Sequence, residues 1–250
     1  MKNALVTGVS RGIGREITHQ LIEDGHKVFG VYKFSEVYQE EKAEAEKLKS
    51  ELGDNLELLP YDLNSRENLQ TIIGTISETI LDVIINNAGE VFLDKWDEFS
   101  IENWDRTIKV NLEAPLLLVH GLRNNLQSGS SIVNIASVDG DCAAIDTIAY
   151  AASKAGLMNL TKSLGAVLGP KGIRVNAVAP GWVETEMTKD TMPDIAKELT
   201  PLKRNAKAKD VADVVSFLVS DKAGFINGQT ITVDGGLTTI DYTLYKEADL

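Results

Sequence analysis

Residues 4–14 read Ala-Leu-Val-Thr-Gly-Val-Ser-Arg-Gly-Ile-Gly, and this stretch decides the fold. Its first four residues are apolar or β-branched, which is typical of a buried strand. Ile13, Ile17 and Leu21 then recur at the spacing of one helix face, and Gly25 ends the helix. A strand that leads through a glycine loop into a helix directs backbone N–H groups and the positive end of the helix dipole at an anion. The loop therefore predicts a diphosphate site, with a tight structural turn as the alternative.

The rest of the chain repeats this alternation of short apolar runs and amphipathic stretches. Strands are predicted over residues 4–7, 27–32, 56–61, 81–86, 131–137, 173–179 and 230–233. Helices are predicted over residues 36–52, from 101 to about 123, and from about 150 to just before 169. Strands that alternate with helices form a parallel sheet. We predict one α/β domain over residues 1–250, a Rossmann-like, doubly wound parallel sheet of about seven strands with helices on both faces.

Composition narrows the classes of function. The net charge of −12 repels the phosphate backbone of nucleic acids, so no nucleic-acid partner is expected. No stretch approaches eighteen consecutive apolar residues and the chain begins without an apolar leader, which predicts a cytoplasmic protein with no membrane association. Cys142 is the single cysteine and the three histidines are scattered, so no metal site is predicted.

One segment differs in composition from the rest of the chain. Residues 185–209 are polar and charged, and they are interrupted by Pro193 and Pro201. Such segments commonly cover a binding site that is held on a rigid scaffold. We interpret this segment as a mobile substrate lid.

The end of the second predicted strand bears on the choice between the two nicotinamide dinucleotides. A carboxylate there accepts hydrogen bonds from the ribose of NAD(H), whereas a cation there pairs with the 2′-phosphate of NADP(H). The strand ends Val31-Tyr32-Lys33, without a carboxylate. Lys33 and Arg11 would together clamp a 2′-phosphate, which favours NADP(H) over NAD(H). Two solvated surface charges are the alternative.

A second group of residues suggests acid–base chemistry. Tyr150 precedes Lys154 by four residues, so both side chains lie on one helix face. A free phenol has a pKa of about 10, and a neighbouring ammonium group and a positively charged nicotinamide are both expected to lower the pKa of Tyr150. Ser137, at the end of the fifth predicted strand, could hold an oxygen as charge develops on it. The set suits proton transfer to a carbonyl oxygen during hydride transfer, with an inert helix-surface pair as the alternative.

These features occur together with others in a fixed order. The sequence contains the glycine loop at 7–14, Asn-Asn-Ala-Gly at 86–89, Asn111, Ser137, Tyr-Ala-Ala-Ser-Lys at 150–154, and Pro180-Gly181. With these motifs it resembles the short-chain dehydrogenase/reductase family over essentially its whole length. The resemblance implies an oxidoreductase with Tyr150 as general acid and base, whose catalytic residues are Asn111, Ser137, Tyr150 and Lys154.

The same resemblance implies where the cofactor binds. Asp62 and Leu63 would flank the adenine, Lys154 would hold the nicotinamide ribose, and Asn111 would anchor a water that relays protons to Lys154. The implied cofactor-binding residues are Gly8, Ser10, Arg11, Gly12, Ile13, Gly14, Lys33, Asp62, Leu63, Asn87, Ala88, Gly89, Tyr150, Lys154, Pro180, Gly181, Val183 and Thr185.

Pro115 adds a hypothesis about the water relay. A helical residue at 115 would normally donate its N–H to the carbonyl of Asn111, but proline has no N–H. The Asn111 carbonyl would then be free to bind the relay water. A simple helix kink is the alternative.

The substrate is less well defined by the sequence. Residues 6–15, 179–187 and 233–236 are similar to those of bacterial 3-oxoacyl-acyl-carrier-protein reductases. An acidic carrier needs cations at the site entrance, yet residues 124–130 carry no charge. Carboxylates that could make the rim acidic are Glu90, Asp139, Asp141 and Asp146. They favour a small neutral, polyol or cationic carbonyl or alcohol substrate, unless they form only a solvated loop.

Two further expectations follow from the resemblance. Cations that keep the carrier protein as an alternative partner are Arg123, Lys171, Lys189, Lys203 and Arg204. A homotetramer is expected, assembled through the helices that begin near residues 101 and 150 and through the C-terminal strand. The alternative from another class is an NADP(H)-binding sensor without catalysis, because the fold binds a dinucleotide whether or not it turns over.

Overall fold

The predicted alternation of strands and helices is present in a computed structural model, which describes residues 1–34 and 38–242. The strands are β1 Lys2–Thr7, β2 His26–Tyr32, β3 Leu56–Pro60, β4 Leu81–Asn86, β5 Leu126–Ile135, β6 Arg174–Pro180, β7 Val183–Glu184, β8 Ala206–Lys207 and β9 Thr230–Val233. The α-helices are α1 Gly12–Glu23, α2 Gln39–Leu52, α3 Arg66–Thr75, α4 Ile101–Ile108, α5 Ala114–Gly121, α6 Ile148–Leu168, α7 Ala196–Leu199 and α8 Ala208–Val219.

Seven of these strands form one sheet in the order β3-β2-β1-β4-β5-β6-β9, and every neighbouring pair is parallel. The chain runs outward from β1 to β3 on one side and then crosses back to continue from β4 on the other. This reversal opens a crevice at the carboxyl ends of β1 and β4, where ligands bind in doubly wound sheets. The predicted fold class is confirmed.

Helices cover both faces of the sheet, as predicted. One apolar cluster joins the sheet to α1, α2 and α8, with Ile17, Leu48 and Val215 fully or almost fully buried. A second cluster lies on the opposite face and includes Ile72 of α3 and Leu118 of α5, both fully buried. The two layers hold the sheet rigid, and the crevice lies along its carboxyl edge.

Several element boundaries differ from the prediction. Strand β5 begins five residues before the predicted start at 131 and ends at Ile135. Leu126 pairs with Leu81 of β4, and after a shift in register the pairing resumes at Ser131 with Val83. Ser137 therefore lies beyond the strand and caps the 3-10 turn Val138–Gly140. The predicted start of α2 at 36 lies outside the described residues, and the described helix begins at Gln39.

The helix predicted from 101 to about 123 is interrupted. A π-helical turn at Lys109–Glu113 separates α4 from α5, and α5 ends at Gly121. The backbone N–H of Ala114 donates to the carbonyl of Lys109, five residues earlier, as in a π-helix. Asn111 thus lies in a turn with altered backbone hydrogen bonding.

The segment interpreted as a lid contains more structure than expected. It includes α7, and strand β8 near its end pairs in parallel with β7. The amphipathic helix α8, which the sequence analysis did not assign, follows directly. The mobility of the segment 185–209 stays a prediction.

Residues 1–34 and 38–242 lack two kinds of feature. No helix there combines the length and the apolar character that a membrane crossing requires. The same residues contain no group of three His, Cys, Asp or Glu side chains placed to hold a metal ion.

Candidate active site

The glycine loop after β1 is shaped for close approach to a ligand. The N–H groups of Gly8 and Val9 both donate to the Val31 carbonyl of β2, at 2.8 and 3.1 Å. Gly8 has a φ of 76°, in the left-handed region that favours glycine. A Cβ on Gly14 would lie 2.0 Å from the Gly8 carbonyl oxygen. The two glycines allow the loop to fold tightly onto the start of α1.

The Asn-Asn-Ala-Gly motif after β4 fixes this loop from the other side of the crevice. The Asn87 amide donates to the carbonyls of Thr7 and Gly8, at 2.9 and 3.1 Å. The backbone N–H groups of Asn87 and Ala88 both donate to the Thr7 hydroxyl at 3.0 Å. The motif therefore joins β1 to β4 across the switch point of the sheet.

The start of α1 suits an anion. Its first turn has no acidic side chain, and its N-cap residue Arg11 makes no side-chain cap. The first N–H groups of a helix lack intrahelical acceptors and carry partial positive charge. The loop and this helix end form a cradle in which a diphosphate fits, because the glycines leave the space that side chains would fill.

The two cations proposed as a phosphate clamp both line the crevice, but neither is a simple solvated charge. Arg11 lies 3.5 Å from Glu41, and its side chain is 45% exposed. The Lys33 ammonium donates to Glu90 at 2.6 Å and lies 3.6 Å from the centre of the Tyr38 ring. Each cation thus has a carboxylate partner.

Glu90 belongs to a larger charged network. Arg106 of α4 donates to both carboxylate oxygens of Glu90, at 2.6 and 2.9 Å, and to Asp62 at 3.0 Å. These bonds raise the pKa of Arg106 further above its usual value, so it stays charged. The sequence analysis missed Arg106, since no local signal places a helix residue beside the ends of β3 and β4.

Ser137 and Tyr150 come together at the end of β5. Ser137 is almost buried, and its hydroxyl accepts from the Asp139 N–H at 3.1 Å. Burial raises the pKa of Tyr150 to about 12, which a hydrogen bond with Ser137 opposes and the Asp139 charge reinforces. Tyr150 therefore keeps its proton at neutral pH.

Lys154 lies one turn further along α6. Its ammonium is buried, donates to the Ile135 carbonyl at 2.7 Å, and lies 5.4 Å from the centre of the Tyr150 ring. Burial lowers the pKa of Lys154 to about 8. The expectation that Lys154 lowers the pKa of Tyr150 is therefore not met here, because desolvation of the phenolate dominates.

Asn111 does not line the crevice but lies directly behind it. Its side chain accepts from the Glu90 N–H at 2.8 Å and donates to the Glu90 carbonyl at 2.9 Å and to Ser153 at 3.1 Å. A Cβ on Gly89 would lie 3.5 Å from both the Asn111 side-chain oxygen and the Lys154 ammonium nitrogen. The Asn111 side-chain oxygen and the Lys154 ammonium therefore both lie close to Gly89.

Apart from Asn111, the predicted site residues line one continuous cleft. The residues that line it are those predicted in the glycine loop, together with Lys33, Asp62, Leu63, Asn87 to Gly89, Ser137, Tyr150, Lys154, Pro180, Gly181, Val183 and Thr185. Lining residues that the sequence analysis missed include Tyr38, Glu41, Tyr61, Glu186, Met187 and Thr188. Tyr38 and Glu41 could have been found, because they follow β2 closely and so lie at the same sheet edge.

The carboxylates expected at the rim have different environments. Glu90 is not an open rim charge, because its side chain is only 14% exposed and is held by Lys33 and Arg106. Asp139 is half-buried, and burial raises its pKa. Asp141 and Asp146 are exposed on the loop before α6. The acidic character expected of the rim is thus confined mainly to this exposed loop.

The cleft and the polar side chains at its end define an oxidoreductase that works with a nicotinamide dinucleotide. The family model described as "Enoyl-(Acyl carrier protein) reductase" matches residues 8–238. The chain is 39% identical over 245 residues to the 3-oxoacyl-[acyl-carrier-protein] reductase FabG of Staphylococcus aureus, covering 94% of this chain and 98% of the relative. It is 36% identical over 243 residues to the Aquifex aeolicus protein of the same name, with coverage of 94% and 97%.

A solved structure extends the comparison. A short chain dehydrogenase from Burkholderia cenocepacia, in complex with NADP, is 32% identical with a TM-score of 0.86 and coverage of 94% of this chain and 97% of that one. The chain belongs to the short-chain dehydrogenase/reductase family.

Proposed function

We propose that this chain reduces a carbonyl group to a secondary alcohol with NADPH, and catalyses the reverse oxidation, with Tyr150 as general acid and base. The observation that carries the proposal is the placement of Ser137, Tyr150 and Lys154 in the cleft that contains the glycine loop. A binding module without catalysis, the alternative from another class, would not need the whole set of these side chains beside the dinucleotide site.

The side chains divide the work of reduction. A bound nicotinamide supplies hydride to the carbonyl carbon. Tyr150 donates its proton to the carbonyl oxygen, and its pKa of about 12 keeps that proton available at neutral pH. Ser137 donates a hydrogen bond to the same oxygen as negative charge develops. Lys154, with a pKa of about 8, can return a proton to Tyr150 near neutral pH, with Asn111 positioned behind it.

The residues that would hold the cofactor follow the cleft. The glycine loop and the start of α1 would bind the diphosphate, and Asp62 and Leu63 would flank the adenine. Val183 and Thr185 would meet the nicotinamide carboxamide, after Pro180 and Gly181 turn the chain out of the sheet.

NADP(H) is proposed over NAD(H) because Lys33 and Arg11 both line the cleft near the end of β2. The complex of the Burkholderia cenocepacia relative with NADP is consistent with this choice. Lys33→Ala and Arg11→Ala should each weaken NADPH binding and leave NADH binding unchanged. Equal use of NADPH and NADH by the unmodified protein would argue against the clamp.

The activity is tested with a panel of carbonyl substrates. NADPH consumption is measured with a small diketone, an aldose and a 3-oxoacyl thioester, for the wild type and for Tyr150→Phe. The variant should lose at least about a hundredfold in turnover while it still binds NADPH, as measured by NADPH fluorescence. Binding without turnover of any of these substrates by the wild type would support the sensor instead.

A second candidate is the reduction of a 3-oxoacyl group on an acyl carrier protein, which the Staphylococcus aureus relative favours. Strand direction places Arg123 and Lys171, which precede β5 and β6, at the amino edge of the sheet, opposite the cleft. Lys189, Lys203 and Arg204 lie in the segment beside the cleft, but Arg204 pairs with Asp210 at 2.7 Å. Asp141 and Asp146 oppose an acidic carrier.

The carrier candidate has its own test. The KM for a 3-oxoacyl group on a carrier protein is compared with that for the same acyl group on a small thiol. A carrier reductase should give a KM at least about tenfold lower for the carrier-bound substrate. Equal values would favour a small-molecule substrate.

We also infer a homotetramer built through α4–α5, α6 and β9, and a cytoplasmic location where reduced cofactor is available. Exposed apolar side chains on these helices support the assembly, with Ile101 66%, Leu116 40% and Val167 67% exposed. Light scattering of the purified protein tests the mass. A monomer at micromolar concentration would contradict the assembly.

A further inference from the structure

We propose that Glu90 limits the preference of this chain for NADP(H) over NAD(H), by holding Lys33 in an ion pair that the 2′-phosphate must displace. The proposal deepens the proposed function and rests on it, because it concerns the cofactor of that reaction. Glu90 thereby becomes a specificity-determining residue rather than the rim charge that the sequence suggested.

The ion pair of Lys33 and Glu90 spans the cleft where the adenosine half of the cofactor would bind. Lys33 directly follows β2, and Glu90 follows β4 by four residues. Strand β1 lies between these two strands, so the contact of 2.6 Å spans the crevice over the carboxyl end of β1. Both side chains line the cleft. A ligand that occupies the adenosine half of the cleft must therefore meet this pair.

The charge balance is the second argument. Among the residues that the structure describes, the network joins two cations, Lys33 and Arg106, to two carboxylates, Glu90 and Asp62, so these four charges balance. The side chains of Lys33 and Glu90 are only 24% and 14% exposed, which limits screening by solvent. A 2′-phosphate that binds here contacts a lysine whose charge is already paired with Glu90. The contact therefore contributes less binding free energy than a contact with an unpaired lysine would.

Glu90 is also held firmly in place. Asn111 bonds both the N–H and the carbonyl of Glu90, and Arg106 binds both of its carboxylate oxygens. The Glu90 carboxylate is thus fixed by Arg106 and by its own backbone, whereas the other contact of the Lys33 ammonium is the face of the neutral Tyr38 ring at 3.6 Å. Lys33 has to leave Glu90 for the phosphate, and this exchange reduces the affinity for NADP(H). NAD(H) lacks the phosphate and does not require the exchange.

The test measures dissociation constants for NADPH and NADH by cofactor fluorescence, which does not depend on turnover. Glu90→Gln keeps the side-chain shape and leaves Arg106 its bond to Asp62. This variant should bind NADPH about fivefold more tightly, with NADH binding unchanged within about twofold. The matched control is Glu57→Gln, which removes the same charge from a pair with Lys27 at the amino ends of β2 and β3. The control should bind both cofactors as the wild type does.

Lys33→Ala and Glu90→Gln together form a double-mutant cycle. In the Lys33→Ala background, Glu90→Gln should no longer tighten NADPH binding, since the gain acts through Lys33. Lys33→Ala alone should weaken NADPH binding by less than about threefold, whereas loss of an uncompensated clamp would cost about tenfold or more. This second measurement decides the question even if Glu90→Gln does not fold, which its thermal unfolding midpoint reveals.

The outcomes separate the two proposals. Unchanged NADPH affinity in Glu90→Gln, or an equal change for both cofactors, overturns the role of Glu90 while the proposed function stands. Failure of the wild type to bind either cofactor overturns both proposals. Tighter NADPH binding in Glu90→Gln, abolished by Lys33→Ala, supports both the ion pair and the cofactor.

Discussion

Replacement of Lys154 by methionine should change how the stability of the protein depends on pH. Burial lowers the pKa of the Lys154 ammonium from 10.5 to about 8 in the folded chain. Between these two values the unfolded chain binds the proton that the folded chain has released. The free energy of unfolding therefore rises with pH across this window, and the cost of burying the ammonium is fully present below pH 8.

The magnitude follows from the width of the window. Each pH unit is worth about 1.4 kcal/mol, so the free energy of unfolding should rise by about 3 kcal/mol between pH 8 and 10.5 through Lys154 alone. A methionine side chain has no proton to lose, so Lys154→Met lacks this rise. The lost bond to the Ile135 carbonyl shifts the variant by a constant amount, which cancels when the two pH profiles are compared. Tyr150 has a pKa of about 12 in the folded chain, above the window, and its titration in the unfolded chain near pH 10 is common to the two proteins.

Urea unfolding followed by circular dichroism, at intervals from pH 7.5 to 10.5, measures both profiles. Other titrating groups are common to the two proteins and cancel in the difference. Lys162→Met, which removes an exposed lysine from the same helix, is the control and should follow the wild type. Parallel profiles for the wild type and Lys154→Met would refute the reasoning, because they would mean that folding does not perturb the Lys154 proton.

The remaining predictions concern packing, a buried hydrogen-bond chain and the proton relay. Gly14→Ala would put a Cβ 2.0 Å from a backbone carbonyl oxygen and should lower the free energy of unfolding by at least about 2 kcal/mol. The control is Gly74→Ala in α3, where the added Cβ meets open space, and this variant should not destabilise the protein. Thr161→Val removes the acceptor 2.8 Å from the buried Asn134 amide and should cost about 1–3 kcal/mol in urea unfolding, which Thr161→Ser should restore. Pro115→Ala should shift the pH profile of turnover if the π-helical turn serves the proton relay, and an unchanged profile would contradict that role.

The fold could be predicted from the sequence because its signals are local. The apolar run of β1, the glycine loop and the helical spacing of Ile17 and Leu21 are contiguous, and each constrains the backbone directly. The boundaries were less accurate where tertiary pairing decides them. The polar first half of β5 carries no strand pattern, and its start is set by a single pairing of Leu126 with Leu81 of β4, before a shift in register.

The positions of the proposed catalytic side chains could be predicted for a related reason. Ser137 and Tyr150 each follow from a strand end or a helix spacing, so topology alone brings them to one edge of the sheet. Their protonation could not be predicted in the same way. The spacing of Tyr150 and Lys154 indicated that Lys154 would lower the pKa of Tyr150, but burial of both groups depends on how α6 packs and outweighs that effect.

The ion pairs of Lys33, Glu90 and Arg106, at the other end of the cleft, could not be predicted from the sequence either. Lys33 could be proposed as a phosphate ligand from its place after β2, but its ion-pair partner Glu90 is 57 residues away. Arg106, which also binds Glu90, lies on α4. Ion pairs between distant elements depend on side-chain direction and leave no local pattern in the sequence. A cation at the end of the second strand therefore predicts the preference between NADP(H) and NAD(H) only when the carboxylates that can pair with it are known. In this chain Glu90 pairs with Lys33.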